Sequence, residues 1–449
     1  MTRAASPSPS PAHTSGRAAP LAEARGLVHR LRPYWWVIAI VALVLVSALF
    51  AREPLRDAAT LAPSLEATLR RPVGYVLLAP ISNVLDTLAL LSLRQHIALA
   101  VTLLLGWGIW WWVRGRILPA SVPAERGIVR KVVRIGIPLL ALVSLYAAAT
   151  LLPRPMAAID VAPQVVVIDF HSHTKYSHDG RSDWGPEDVR AWHRDAGFDA
   201  AYVTDHRTFE GAREGWANNP VNVGEKTTLL PGIEVVWNGE HVNVLDADRV
   251  YRGVLTPTLR DIDAEALRMV SALPGSEPVL IETLPGDLGK ATFAAGPGTP
   301  GVRAIEINDG APQGLGQTRR ERGRIVHLAD SLNLALVSGS NHHGWGHTAS
   351  AWTLFLMPQW RALTPEQLST ALSRLIRREG RNATQVVERY VPDTDRGVVL
   401  PFTVPVVVWG MFRTMSVDER VVWVVWTLVA FLLLRLRRTR DDTGADVAR

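Results

Sequence analysis

The sequence predicts a mixed α/β domain flanked by transmembrane α-helices. Three observations carry that expectation. Uncharged apolar runs cluster towards both ends of the 449-residue chain. Between them, short β-branched runs alternate with helical patterns. Ten of the 13 histidines fall between positions 171 and 347, so the central block also carries a candidate site.

Taken in order, residues 1–33 are rich in Pro, Ser, Ala and Arg and read as a disordered basic leader. Residues 34–50, 96–113 and 135–152 are apolar runs close to the length that spans a bilayer. Residues 421–434 form a shorter run, extended by arginines that can snorkel. Trp35, Trp36, Trp110, Trp111, Trp112 and Trp423 sit near the ends of these runs, as an aromatic belt would. A cleaved signal peptide ending at Val46-Ser47-Ala48 is the alternative for the first run; the long leader and the later runs favour an uncleaved anchor. Residues 74–92 are apolar but interrupted by Pro80, Asn83 and Asp86, which favours a helix at the interface or re-entering over a full span. Residues 398–412, with Pro401 and Pro405, are expected to pack on the membrane surface or on the central block. The expected organisation is therefore a membrane region at 34–162 with three or four spans, a central domain at 163–395, and a membrane-proximal segment at 396–420. A last span with its basic stop follows at 421–440, and then a tail at 441–449.

Charge sets the expected orientation. Arg114, Arg116, Arg126, Arg130, Lys131 and Arg134 lie between two spans with only Glu125 against them, which marks that loop as cytoplasmic. Three spans before the central block and one after it then place the block outside the cytoplasm. The net charge of +6 comes mainly from these flanks, so it gives no support for nucleic-acid binding. With no Cys in the chain, disulfides and thiolate metal sites are excluded.

Within the central block, Val165–Asp169 and residues 200–204, 229–235, 241–245, 279–283, 304–307 and 334–338 are predicted strands. Pro186–Ala196 and residues 260–272, 317–332 and 365–378 are predicted helices, with Pro186 and Pro365 near helix starts where a missing N–H does little harm. This alternation predicts a mostly parallel sheet with helices outside, open or closed into a barrel. In a barrel the chemistry belongs at the carboxyl ends of the strands.

The candidate ligands fall there. His171 and His173 follow the first strand, and strand side chains two apart share a side. Asp179 lies in the loop after them, His206 follows the second strand, Glu234 ends the third and His241 opens the next. Asn341 and His343 follow the strand at 334–338. Imidazoles and carboxylates without thiolates suit Zn, Mn or Fe, and more than four ligands suits more than one ion. Lys175, Arg181 and Arg207 are candidates to hold a phosphate oxygen, Arg207 being the one assigned to catalysis. His178 is a weaker alternative to Asp179, while His193 and His327 read as solvated or surface histidines. No phosphate-binding loop signature supports nucleoside triphosphate binding.

These residues resemble the PHP superfamily (polymerase and histidinol phosphatase) across roughly half the chain. The motifs are Asp169-x-His171-x-His173-Thr174, Ser177-x-Asp179-Gly180, Thr204-Asp205-His206, Gly232-Ile233-Glu234 and Gly339-Ser340-x-x-His343. The resemblance implies a distorted (β/α)7 barrel with two or three divalent metal ions that hydrolyses phosphate esters. It also implies that His171, His173, Asp179, His206, Glu234, His241 and His343 are ligands, with Glu234 bridging. Two positions depart from the pattern: Leu284 stands where the family usually has a histidine, and Asn341 where it usually has an aspartate. His342, His347 and Glu282 are candidate replacements. The expected function is a membrane-anchored phosphoesterase acting on a phosphorylated small-molecule or lipid-linked substrate, with His343 or His342 protonating the leaving oxygen. A non-catalytic metal or ligand sensor, and a hydrolase of C–N or C–O bonds, are the alternatives.

Overall fold

The computed structural model describes residues 34–117, 127–237, 239–245, 279–294 and 301–447. The chain divides into two compact units, Ala51–Glu419 and a smaller one made of residues up to Phe50 and from Arg420 onward. In the smaller unit an apolar helix at Trp35–Leu49 runs beside the part of helix Val417–Val447 that lies beyond Glu419. Arg420 donates to Val44 O at 3.0 Å and to Ser47 Oγ at 2.6 Å, and the Tyr34 and Phe431 rings meet edge to face at 5.1 Å.

The larger unit is built on a ten-stranded sheet. Its strands are β1 (Leu55–Asp57), β4 (Val165–Asp169), β5 (Ala200–Val203), β6 (Thr228–Trp237), β7 (Glu240–Leu245), β8 (Leu280–Glu282), β9 (Val302–Asp309), β10 (Ala335–Gly339), β11 (Ala351–Leu356) and β12 (Gln385–Arg389); β2 (Ala67–Arg70) and β3 (Ala158–Val161) pair separately. The spatial order is β1-β12-β11-β4-β5-β6-β7-β8-β9-β10. The sheet curls until the ends of β10 and β4 meet: Phe170 N donates to Ser338 O at 3.3 Å, and Asn341 N donates to His171 O at 2.8 Å. This is a mixed α/β fold with a curled, half-barrel sheet.

Alternation along β4 shows why these residues make strands buried on both faces. Val167 packs outward with Val189, Trp192, Ala201 and Leu229, whereas Val166 and Ile168 pack with Tyr202, Leu230, Ile281 and Val337 on the other side. Helix Pro186–Ala196 covers the first face. Helix Pro312–Leu332 covers Ile305, Ile307 and Leu336, and helix Pro365–Glu379 brings Leu368, Leu372 and Ile376 to the second core.

All seven predicted strands form, but the sheet is not mostly parallel. Antiparallel pairing joins β1 to β12, β12 to β11, β11 to β4, β6 to β7 and β7 to β8. Only residues 238 and 239 separate β6 from β7, too short a link for the crossover that parallel strands need. The predicted helix at 260–272 and the leader at 1–33 lie outside the described residues.

The apolar runs behave differently from one another. Among the described residues, one helix is long and apolar enough to cross a membrane by length and composition, at Leu93–Val113. Trp35–Leu49 and Gly136–Leu151 are shorter apolar helices. Residues 74–92 do not form one span: they fold as helices Val73–Leu77 and Ala79–Ala89, about 16 Å of rise for the longer one. The polar residues that interrupt this run are buried anchors. Asp86 accepts from Tyr75 Oη and Arg389 Nη1 through Oδ2, and from Arg154 Nη2 and Thr348 Oγ1 through Oδ1. Asn83 donates to Glu419 Oε1 at 2.6 Å. Helix Thr403–Arg413 packs on the same unit, with Val407 against Leu85, Leu88 and Val391.

Candidate metal centre

The loop after β4 is held in place before any ligand is considered. Asp169 ends the strand and accepts from Ser340 N at 2.8 Å and Ser340 Oγ at 2.6 Å, which locks the β10 loop beside it. His193 Nε2 lies 2.7 Å from the same carboxylate, and its Nδ1 lies 2.7 Å from Val189 O. His193 is therefore buried, not solvated. Asp205 performs a similar task, accepting from Thr174 N at 2.6 Å and Thr174 Oγ1 at 2.7 Å; burial pushes its carboxyl up to about 6. At Gly339 any side chain would collide with Glu306 Oε1 and the His171 Cβ, so the close approach of β9, β10 and the His171 loop needs glycine there.

On this frame the imidazoles converge. His171 Nε2 and His173 Nε2 are 3.0 Å apart, and Glu234 Oε2 lies 3.1 Å from the first and 3.3 Å from the second. The same oxygen is 3.5 Å from His206 Nε2, while Glu234 Oε1 is 2.6 Å from His241 Nδ1. Asp179 Oδ2 lies 3.0 Å from His343 Nε2 and 3.4 Å from His206 Nε2. Among the described residues four groups of ligand atoms result, each within 4.8 Å: His173–Asp179–His206–His343, His171–His173–Glu234, His206–Glu234–His241 and His171–Glu306–Asp309. Seven of the eight residues predicted as ligands stand in these groups. Asn341, the eighth, adopts a left-handed backbone (φ 46°) and donates Nδ2 to Asp309 Oδ2 at 2.9 Å.

Glu306 and Asp309 were not predicted. Glu306 Oε1 is 2.9 Å and Asp309 Oδ2 3.8 Å from His171 Nδ1. They supply carboxylate beside the amide of Asn341, whereas the replacements considered from sequence do not join the groups. His342 is buried, stacked on Trp192 at 4.3 Å with Nε2 3.2 Å from Gly346 O, and burial pushes its imidazole down to about 3. Burial, with Glu240 and Glu306 nearby, pushes Glu282 up to about 8. Leu284 packs with Leu288, Ile305 and Ile307. His178 stands 4.8 Å from the His206 ring but in none of the groups, and His327 is exposed. Lys175 and Arg207 are exposed; Arg207 has φ 56° and its charge bears on His241. Arg181 is engaged with Asp183 and Gly344 O and stacks over Trp184.

The electrostatics fit a bound cation. Burial raises Glu306 and Asp309, the latter well above the ordinary range, with Glu306 adding to the effect on Asp309. Burial also lowers His173 well below its ordinary value, helped by His343 and His171. Burial opposes ionisation at Glu234 too, but His171 and the hydrogen bonds from His171 and His241 hold it well below the carboxylate range. Burial opposes protonation of His171 as well, but Glu234 and Glu306 raise it well above its ordinary value, and the hydrogen bond to Glu234 raises His241. These carboxylates thus draw positive charge into the pocket, which divalent ions would supply in place of the protons. Asn341 Oδ1 and His173 Nδ1 are buried with no hydrogen-bond partner among the described residues. The donor set is nitrogen and oxygen only, as Zn, Mn or Fe take.

No family profile and no curated protein matches the chain. Among solved structures, PsfC from Pseudomonas syringae is similar at 19% identity and TM-score 0.35, covering 56% of this chain and 98% of that one. A two-domain protein from Bacteroides vulgatus, described as containing a predicted PHP-like metal-dependent phosphoesterase, aligns at 14% identity and TM-score 0.30, over 51% of this chain and 66% of that one. An amidohydrolase from Chromobacterium violaceum, with bound sulfate and no metal, aligns at 16% identity and TM-score 0.27, over 44% and 98%.

Proposed function

We propose that this chain is a membrane-anchored, metal-dependent phosphoesterase with its catalytic domain outside the cytoplasm. The observation that carries the reading is the sharing of Glu234: its two oxygens stand between His171, His173 and His206 on one side and His241 on the other. Groups that share ligands suit neighbouring ions. Glu234 would be common to them, with His171, His173, His206, His241, Asp179 and His343 completing the nitrogen and oxygen sets and Glu306 and Asp309 flanking His171. Two or three such ions, when bound, supply a water of lowered pKa and positive charge for the phosphoryl oxygens.

The chain's own residues do the rest. Asp169 and Asp205 fix the ligand loops, so no reorganisation is needed at the moment of reaction. His343 sits at the rim, 21% exposed, with Nε2 on Asp179 and Nδ1 2.9 Å from Asn341 O, so that as a ligand its ring would be held in one orientation. Arg207, exposed beside the His241 end, is the cation to orient a phosphate oxygen. Membrane anchoring is supported by the unburied apolar helix Leu93–Val113, and orientation by the basic residues between 114 and 134.

The test is hydrolysis by the full chain, loaded with Mn or Zn, across phosphomonoesters and phosphodiesters. Turnover should vanish with chelator and fall about a hundredfold or more in His173→Ala and His206→Ala. Turnover of carboxylic esters or amides in place of phosphates would contradict the phosphoesterase reading.

A further inference from the structure

Ligand geometry leaves one large feature of the Ala51–Glu419 unit unexplained. A groove of about 790 Å³ adjoins the candidate centre, within the range of small-molecule sites, about 300–1,000 Å³. One end is polar and belongs to the centre, where Asp179, Asn341 and His343 line it. Beyond that end its walls are largely apolar. Leu93, Ile97 and Ala100 come from one helix and Ala149 from the next.

The groove opens to the apolar side of the molecule. Leu93 and Ile97 line it while remaining 44% and 57% exposed, and exposed Leu104, Leu105 and Ile109 continue the same helix. That helix contains the segment long and apolar enough to cross a membrane. Its polar interruption is self-satisfied, with His96 Nδ1 2.7 Å from Tyr146 Oη. The groove is also built firmly onto the centre. Gly346 N donates to Thr150 O at 3.0 Å, and Arg154 donates to Thr348 Oγ1 at 2.8 Å, so the loop bearing His343 is tied to the end of the helix bearing Tyr146 and Ala149. A small water-soluble ester would occupy the polar end and make no use of the apolar wall. An ester with a long apolar chain would cover both.

We propose that the substrate is a phosphate ester borne on a single long apolar chain. Its head lies at Asp179, Asn341 and His343, and its chain lies between helices Leu93–Ile117 and Gly127–Leu151. The nature of the head rests on the phosphoesterase reading; the chain rests on the groove. The experiment uses the full chain in phosphatidylcholine nanodiscs and dodecyl phosphate carrying a diazirine at the far end of its chain. Photolabelled residues are mapped by mass spectrometry, and hydrolysis of the tail-less bis(p-nitrophenyl) phosphate is measured alongside.

Label should land within 93–100 and 146–150, and unlabelled dodecyl phosphate should displace it where inorganic phosphate does not. Ala100→Trp should lower labelling about tenfold by overfilling the groove, leaving tail-less hydrolysis unchanged. Ala100→Leu, a milder filling, should lower it less and guards against a folding defect. Stronger displacement by farnesyl than by dodecyl phosphate would assign the chain to isoprenoids, and the reverse to acyl lipids. Label elsewhere, or labelling indifferent to these substitutions, overturns the inference even if the tail-less ester is hydrolysed. Label in the groove without hydrolysis of any ester keeps the apolar-chain ligand and removes the phosphoesterase reading.

Discussion

Asp86 gives the sharpest test of how the structure is held together. It is 1% exposed and receives four hydrogen bonds, from Tyr75, Arg154, Arg389 and Thr348. Burial alone would raise its carboxyl, but Arg389 and Arg154 outweigh that and hold it below the usual range. Asp86→Ala leaves two buried guanidinium groups without their counter-charge, a change that costs about 3–5 kcal/mol. Unfolding entropy of roughly 2.1 cal/mol/K per residue over a unit of this size comes to about 0.8 kcal/mol/K. The midpoint should therefore fall by about 4–6 °C. Asp86→Asn keeps an acceptor but loses the charge and should fall in between. Differential scanning fluorimetry of the full chain in detergent, with Trp emission as the probe, reads the shift. Because the carboxyl is lowered in the folded state, the stabilisation is present above the unfolded carboxylate range and lost as pH falls through the folded value. A shift below about 1 °C for Asp86→Ala would show that this buried ion cluster does not anchor residues 74–92.

Two other predictions concern groups near the sheet. Asp169→Asn removes the charge that orients His193 and accepts from Ser340, and should lower kcat/KM about 10- to 100-fold with the fold retained; an unchanged kcat/KM on a phosphate ester would contradict a positioning role. Asp199 is raised by burial to about 7, against about 3.9 unfolded. The folded state thus holds the extra proton, so stability should fall as pH rises from about 4 to 7. Asp199→Asn, whose amide oxygen can still accept from Val167 N, should flatten that slope in denaturant midpoints; parallel profiles for the two proteins would exclude it.

The strands that line the centre were legible because buried strands concentrate β-branched residues between polar punctuation, as in Val165–Asp169. Three-residue β1 carries no comparable signal. β11, Ala-Trp-Thr-Leu-Phe-Leu, does carry one, although it is not among the predicted strands, and alternation alone cannot reveal that β11 and β12 add antiparallel or that β7 reverses after β6. Ligands at strand ends were legible through the spacing of His171 and His173. Glu306 and Asp309 were not, since an acidic residue inside an apolar strand reads as an outward-facing position until the neighbouring strands are known. His193 was missed for a similar reason, as its partner Asp169 is distant in sequence, although Val189 four residues earlier signalled a buried helical face. The polar residues at 83 and 86 looked like defects in a membrane span; their partners Glu419, Arg154 and Arg389 lie far along the chain.

Metal stoichiometry separates a polynuclear centre from a cluster of packed histidines. The full chain, equilibrated with Mn or Zn and passed through a desalting column, is analysed by mass spectrometry of its metal content, beside Glu234→Gln. Since Glu234 is common to two of the ligand groups, about two or three ions per chain are expected for the wild type and the loss of at least one in the variant. Fewer than about one ion per chain in the wild type, or a Glu234→Gln protein that retains its metal unchanged, would contradict a polynuclear centre.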